Sequence, residues 1–84
     1  MQEQQDPQVP DPNVLLQLVP PGGIKMPFGK YKDYFLCDLP VAYLEWFQER
    51  GFPKGKLGML LATIYEIKIN GLMHLLDPLK KNRF

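Results

Sequence analysis

Proline and glycine cut this chain into short segments, and the breaks decide what each segment can become. They fall at Pro20-Pro21-Gly22-Gly23, Pro40, Gly51-Phe52-Pro53, Asn70-Gly71 and Pro78. A proline inside a helix removes one hydrogen bond and its ring clashes with the carbonyl four residues back. Clustered Pro and Gly therefore read as element ends. With 84 residues in all, the segments must share one core, because a chain of this length is a single domain. Such a domain buries roughly 60–65% of the surface its unfolded form exposes.

Met1–Pro10 holds Gln, Pro and acids without hydrophobic periodicity. It is expected to be a tail, leaving residues 11–84 as the globular domain. Asp11-Pro12 reads as an N-cap followed by proline at the first helical position. Val14, Leu15 and Leu18 form a short apolar stripe, and Pro20-Pro21 must end it. Pro40 suits the first turn of a second helix, with Asp38 or Leu39 as cap, and Gly51 closes it. Tyr43, Leu44 and Phe47 mark its inner face and Trp46 widens the stripe. A third helix is expected from about Lys54 to Asn70. Leu57, Leu60, Leu61, Ile64 and Lys68 share one face, and Met59, Ile67 and Ile69 broaden the apolar arc. That width suits a central helix or one that touches a partner. Leu72, Leu75, Leu76 and Leu79 support a last helical turn.

Ile24–Leu39 reads as a β-hairpin. Lys32-Asp33 are taken as its turn, pairing Tyr31 with Tyr34, Phe28 with Cys37 and Met26 with Leu39. One face then carries Met26, Phe28, Phe35, Cys37 and Leu39, and the other Gly29, Tyr31, Tyr34 and Leu36. A slip of one residue exchanges these faces. A lone hairpin is unstable in water, so it must pack on the helices. The expected class is α+β: a short N-terminal helix, a hairpin, two main helices and a C-terminal helical turn. The core expected from spacing is Leu15, Phe28, Leu36, Leu39, Leu44, Phe47, Leu57, Leu60, Leu61, Ile64 and Leu72.

Net charge is +1, but it is unevenly placed. Residues 1–20 carry Glu3, Asp6 and Asp11 and no base, for −3; residues 21–84 set ten Lys or Arg against six acids, for +4. Cys37 is the only cysteine, so no internal disulfide forms. The start MQEQQDPQ has neither the basic region nor the apolar region of a secretory signal. The longest apolar stretch, Met59–Ile69, contains Glu66 and Lys68 and is too short to span a bilayer. A cytoplasmic protein without membrane contact, monomeric or weakly dimeric, is expected.

Most catalytic chemistries lack their residues. There is no serine, and Thr63 is the only threonine. Cys37 and His74 lie 37 positions apart, one on an expected core strand and the other on an apolar turn. One Cys and one His do not make a closed zinc site. Glu45 and Glu49 sit at i, i+4 on the expected solvent face of the second helix. Gly51-Phe-Pro-Lys-Gly-Lys-Leu is one residue short of a phosphate loop and lacks the Ser/Thr after Lys56. The residues point to no enzyme, no metal and no cofactor.

The block MPFGKYKDYFLCDLPVAYLEWFQERGF, Met26–Phe52, joins a Phe-Gly-Lys-Tyr-Lys turn, an Asp-Leu-Pro helix start and a Tyr-Leu-x-Trp-Phe face. With GFPKGKLG (Gly51–Gly58), YEIKINGLMHLLDPL (Tyr65–Leu79) and DPNVLLQLV (Asp11–Val19), it resembles a family of small bacterial domains described as "Putative quorum-sensing-regulated virulence factor". The resemblance covers nearly everything after the first ten residues and implies no assigned reaction. It implies a Gly after the second lysine of the turn, where this chain has Asp33. A shorter form of the pattern resembles the C-terminal domain of exodeoxyribonuclease X-like proteins. The catalytic carboxylates of those proteins belong to a separate domain, so nothing catalytic carries over.

Two binding functions remain. A protein-interaction or regulatory module would use Trp46 and Phe47 of the second helix and the broad apolar arc of the third, Met59 included. An accessory nucleic-acid domain would use Lys25, Lys30, Lys32 and Tyr34 at the hairpin, where basic and aromatic residues can hold phosphates and stack bases. Lys54 and Lys56, near the positive end of the third helix, would add an anion site. Basic side chains gathered on one face would favour nucleic acid; an exposed apolar patch would favour protein.

Overall fold

The computed structural model of the chain describes residues 11–80. The expected tail, and the basic side chains of Lys81 and Arg83, lie outside these residues. Among the described residues there are three α-helices: α1, Pro12–Leu16; α2, Val41–Arg50; and α3, Gly55–Ile69. Two 3₁₀ segments, Leu36–Asp38 and Met73–Leu79, complete the secondary structure. The Asp11 carboxylate accepts a hydrogen bond from the Asn13 amide at 2.8 Å, so α1 begins as its cap residues dictate. Pro40, rather than Asp38 or Leu39, occupies the N-cap of α2, and its carbonyl accepts from the Leu44 amide at 3.2 Å.

α3 is the centre of the packing. It lies against α2 and against the Leu36–Asp38 turn, while α1 packs on the C-terminal 3₁₀ segment. That segment meets α3 at 116°. The buried set joins Leu60, Leu61, Ile64 and Ile67 of α3 to Leu44 and Phe47 of α2, to Leu36, Cys37 and Leu39, and to Leu15, Leu18, Val19, Met26 and Leu76. Burial of apolar surface is the main favourable term here, at about 25 cal/mol per Å². Leu57 and Leu72 are only partly buried. Among the described residues, no single helix is long and apolar enough to cross a membrane.

The expected hairpin is absent, and the fold is helical rather than α+β. Among the described residues there is no β-strand, only an isolated antiparallel bridge between Lys25 and Phe35. Met26 exchanges hydrogen bonds with the far side of the loop: its amide donates to the Tyr34 carbonyl and its carbonyl accepts from the Asp33 amide, both at 2.8 Å. The ladder stops there. The Ile24 amide, next in the alternation, donates to the Gln17 carbonyl at 2.8 Å instead of across the loop, and Leu36 enters the 3₁₀ turn that leads to Pro40. The Cys37 amide donates instead to the Leu18 carbonyl at 3.0 Å. The register also differs from the expected one, which turns Phe28 outward to 44% exposure.

The turn chemistry within this loop is as the residues suggest. Among the described residues, Asp33 is the non-glycine residue with positive φ, at 74°, and Gly29 has φ 81°. The left-handed conformation costs an ordinary residue about 1–2 kcal/mol, whereas glycine costs more backbone entropy on folding. The Asp33 carboxylate makes only a loose, exposed contact with Lys32, at 3.8 Å. Asp33→Gly is therefore expected to change stability by between zero and about +1 kcal/mol, measured by urea denaturation. A clear loss would show that the exposed carboxylate makes a needed contact.

Candidate functional site

Helical spacing places Ala42, Tyr43, Trp46 and Phe47 side by side on α2, at i, i+1, i+4 and i+5. The loop from Phe28 to Tyr31 stands opposite them, with Pro40 at one end. Together these residues line an open groove of about 630 Å³. Two consecutive turns aim the loop: the Lys32 amide donates to the Gly29 carbonyl at 3.1 Å, and the Tyr34 amide donates to the Tyr31 carbonyl at 3.0 Å. Gly29 also leaves space in the wall, since a Cβ there would approach the Tyr43 hydroxyl to 3.3 Å.

The groove is aromatic. Tyr31 and Tyr43 are 4.7 Å apart between centroids with planes tilted by 59°. Tyr43 meets Phe47 edge to face at 5.2 Å, and Phe47 meets Trp46 likewise at 5.1 Å. Such pairs stabilise by about 0.5–1.5 kcal/mol beyond their buried area. Phe47 is buried at the floor, whereas Trp46 and Phe28 are 48% and 44% exposed at the sides. Cations stand on the rings: Lys30 Nζ is 5.5 Å from the Tyr31 centroid, and the Arg50 guanidinium is 4.7 Å from that of Trp46. Burial, and then the neighbouring Tyr31, push the Tyr43 phenol above its ordinary pKa.

Of the residues singled out from the sequence, Lys30 and Trp46 line this groove. Tyr34 joins it indirectly, edge-on to Tyr31 at 5.3 Å, and is 48% exposed. Lys25 is drawn over the Phe35 ring at 5.2 Å, and Lys32 lies beside Asp33. Lys54 and Lys56 are exposed around the start of α3, and Met59 is exposed further along it; none of them lines the groove. Of these five lysines, only Lys30 lines the groove. Glu45 and Glu49 are exposed on α2. Phe47, expected with Trp46 to contact protein, also lines the groove, whereas the sequence reading does not place Phe28 or Tyr43 at a binding site. The available signal was three aromatics within five positions of one helix, Tyr43, Trp46 and Phe47, more than an inward stripe requires.

Other chemistry is sparse. Among the described residues, no group of His, Cys, Asp and Glu converges as a metal site. Cys37 is buried at 2% exposure. Burial first, and then the Asp38 carboxylate beside it, raise its thiol pKa, partly offset by Lys80 and Lys68. A raised thiol pKa stabilises the fold below the ordinary thiol value of about 8.5, and that contribution is lost as pH climbs through the raised one. The stability gap between the wild type and Cys37→Ala should therefore narrow from pH 7 to pH 10. Urea midpoints at the two pH values measure it; an unchanged gap would mean that the thiolate is as well tolerated folded as unfolded.

No solved structure matches the chain. The uncharacterized protein YpeB of Escherichia coli strain K12 is 48% identical over 66 residues, which cover 77% of this chain and 92% of the relative. YpeB of Escherichia coli O157:H7 matches to the same extent. The family described as "Putative quorum-sensing-regulated virulence factor" matches residues 11–79, all three helices and both 3₁₀ segments included. The chain belongs to that family.

Proposed function

We propose that this protein is a non-enzymatic cytoplasmic interaction module that holds a segment of a partner protein in the groove between the Phe28–Tyr31 loop and α2. The exposed Trp46 and Phe28 on either side of an aromatic floor carry this reading. Large aromatic side chains left half in water lose favourable burial, and they regain it when a ligand covers them. Tryptophan, tyrosine and arginine are the residues that most often dominate binding energy at protein interfaces. Here Trp46, Tyr43, Tyr31 and Arg50 stand together.

The test is selection of peptides from a random display library on the immobilised chain. Trp46→Ala should weaken the selected peptides about tenfold or more. Met59→Ala, on another helix, should leave them unchanged. Equal binding to the Trp46 variant, or failure to select any peptide, would remove the groove from the account.

A second reading, an accessory nucleic-acid domain, draws on Lys30 beside Tyr31 and on the exposed Tyr34. Lys30 and Lys32 would hold phosphates and Tyr34 would stack a base. Changing both lysines to Glu would then lower the slope of log affinity against log salt by about one or two. Glu45 and Glu49, exposed on the helix that forms one wall of the groove, weigh against a polyanion, so this reading stands second.

A further inference from the structure

We infer that the groove takes an extended, proline-containing segment of its partner, with prolines at i and i+3 and a carboxylate beside them. This inference rests on the reading of the groove as a protein-binding site and specifies its ligand. Three observations lead to it.

The first is the spacing of the rings. The centroid steps from Tyr31 through Tyr43 and Phe47 to Trp46 are 4.7, 5.2 and 5.1 Å. A polyproline II strand rises about 3.1 Å per residue with three residues per turn. The row of rings spans at most about five such residues, enough for two prolines on one face about 9 Å apart. The rings are tilted or perpendicular to one another, so their faces and edges alternate. The rings touch one another, so they form a continuous ridged aromatic wall, with Phe47 as its buried floor, against which flat pyrrolidine rings can pack. Aromatic-lined grooves recognise this conformation because its order is already present before binding.

The second is hydrogen bonding. The hydroxyls of Tyr31 and Tyr43 and the indole N–H of Trp46 have no partners among the described residues. A ligand that covers them must supply acceptors, or they are left unsatisfied. A helical ligand uses its carbonyls internally. A polyproline II strand has no internal hydrogen bonds and presents every carbonyl outward.

The third is charge. Lys30 and Arg50 stand over the rings at the two sides of the groove, each held by a cation–π contact. A single carboxylate next to the prolines can meet one of them. A run of phosphates would also feel the negative charge of Glu45 and Glu49, exposed on the same helix.

The experiment is fluorescence anisotropy of the full chain with a labelled ten-residue probe, bearing prolines at i and i+3 and an aspartate next to the first. Its controls replace both prolines by alanine, or the aspartate by lysine. An amphipathic helical peptide and a single-stranded oligonucleotide complete the set. Replacing the prolines should weaken binding about tenfold or more, the range expected for losing anchors from an interface centre. Lys30→Glu should reverse the preference between the aspartate and lysine probes, a change of charge preference that general unfolding would not produce. If the alanine probe or the helical peptide binds as tightly as the proline probe, the inference fails while the protein-binding reading stands. If only the oligonucleotide binds, or none of the probes does, both fall.

Discussion

Leu61→Ala is expected to destabilise the domain by ~2–5 kcal/mol, the range for deleting a fully enclosed leucine side chain. Leu61 is wholly buried on α3. That helix packs on both α2 and the Leu36–Asp38 turn, so neither neighbour can collapse into the space without moving away from the other. A domain of 84 residues has about 4–13 kcal/mol of stability in total. The loss would therefore be a large fraction of the whole, read as a shift in urea midpoint at unchanged slope. A change below about half a kilocalorie would mean that α3 is not the packing centre.

Gly58→Ala should have an effect of comparable size from the opposite cause. The backbone at Pro53-Lys54 doubles back over the first turn of α3, where Gly55 has φ 83°. A Cβ on Gly58 would overlap the Pro53 carbonyl oxygen and stand 2.7 Å from its carbon. Alanine ordinarily favours a helix over glycine by about 1 kcal/mol, so helix propensity alone predicts stabilisation. The obstruction is backbone, which cannot rotate aside as a side chain can. Overpacking of a tight contact costs about 1–3 kcal/mol and occasionally more, and we expect it to outweigh the propensity gain. A more stable Gly58→Ala variant would show that the Phe52–Lys54 connection can lift off α3 at little cost. The same connection carries Phe52, whose ring stacks on Phe47 at 6.1 Å, so lifting it would disturb the groove floor as well.

The helices were legible because their signals are local. Asp11-Pro12, Gly51 and Asn70 each mark an end that lies within a residue or two of the sequence expectation. The hairpin is not, because alternation from Met26 to Leu39 resembles a strand pair while the Ile24 amide bonds to Gln17 and the segment at Leu36 winds into a 3₁₀ turn, which removes the ladder. Positive φ at Asp33 was readable from its position in a tight turn. The register was not, since Met26 and Cys37 are placed by contacts with Tyr34 and Leu18, not by the turn itself. The site divides in the same way. Trp46 announces itself as a large aromatic at the edge of an amphipathic stripe. The groove opposite it exists only because the loop lays Tyr31 on Tyr43, a contact between residues 12 positions apart. Alternation points Phe28 inward, yet it is 44% exposed because the paired register that would bury it does not form.

The claim that the groove binds a partner segment is tested most directly by a ¹H–¹⁵N correlation titration of the labelled full chain with the proline probe. The chain has one tryptophan, so one indole N–H resonance reports on the groove without ambiguity. The largest shifts should fall on that indole and on the amides of Gly29, Lys30, Tyr31 and Tyr43. The amides of Lys56 and Met59 on α3 should stay in place. Shifts centred on α3, or an indole resonance that does not move at saturation, would contradict the account.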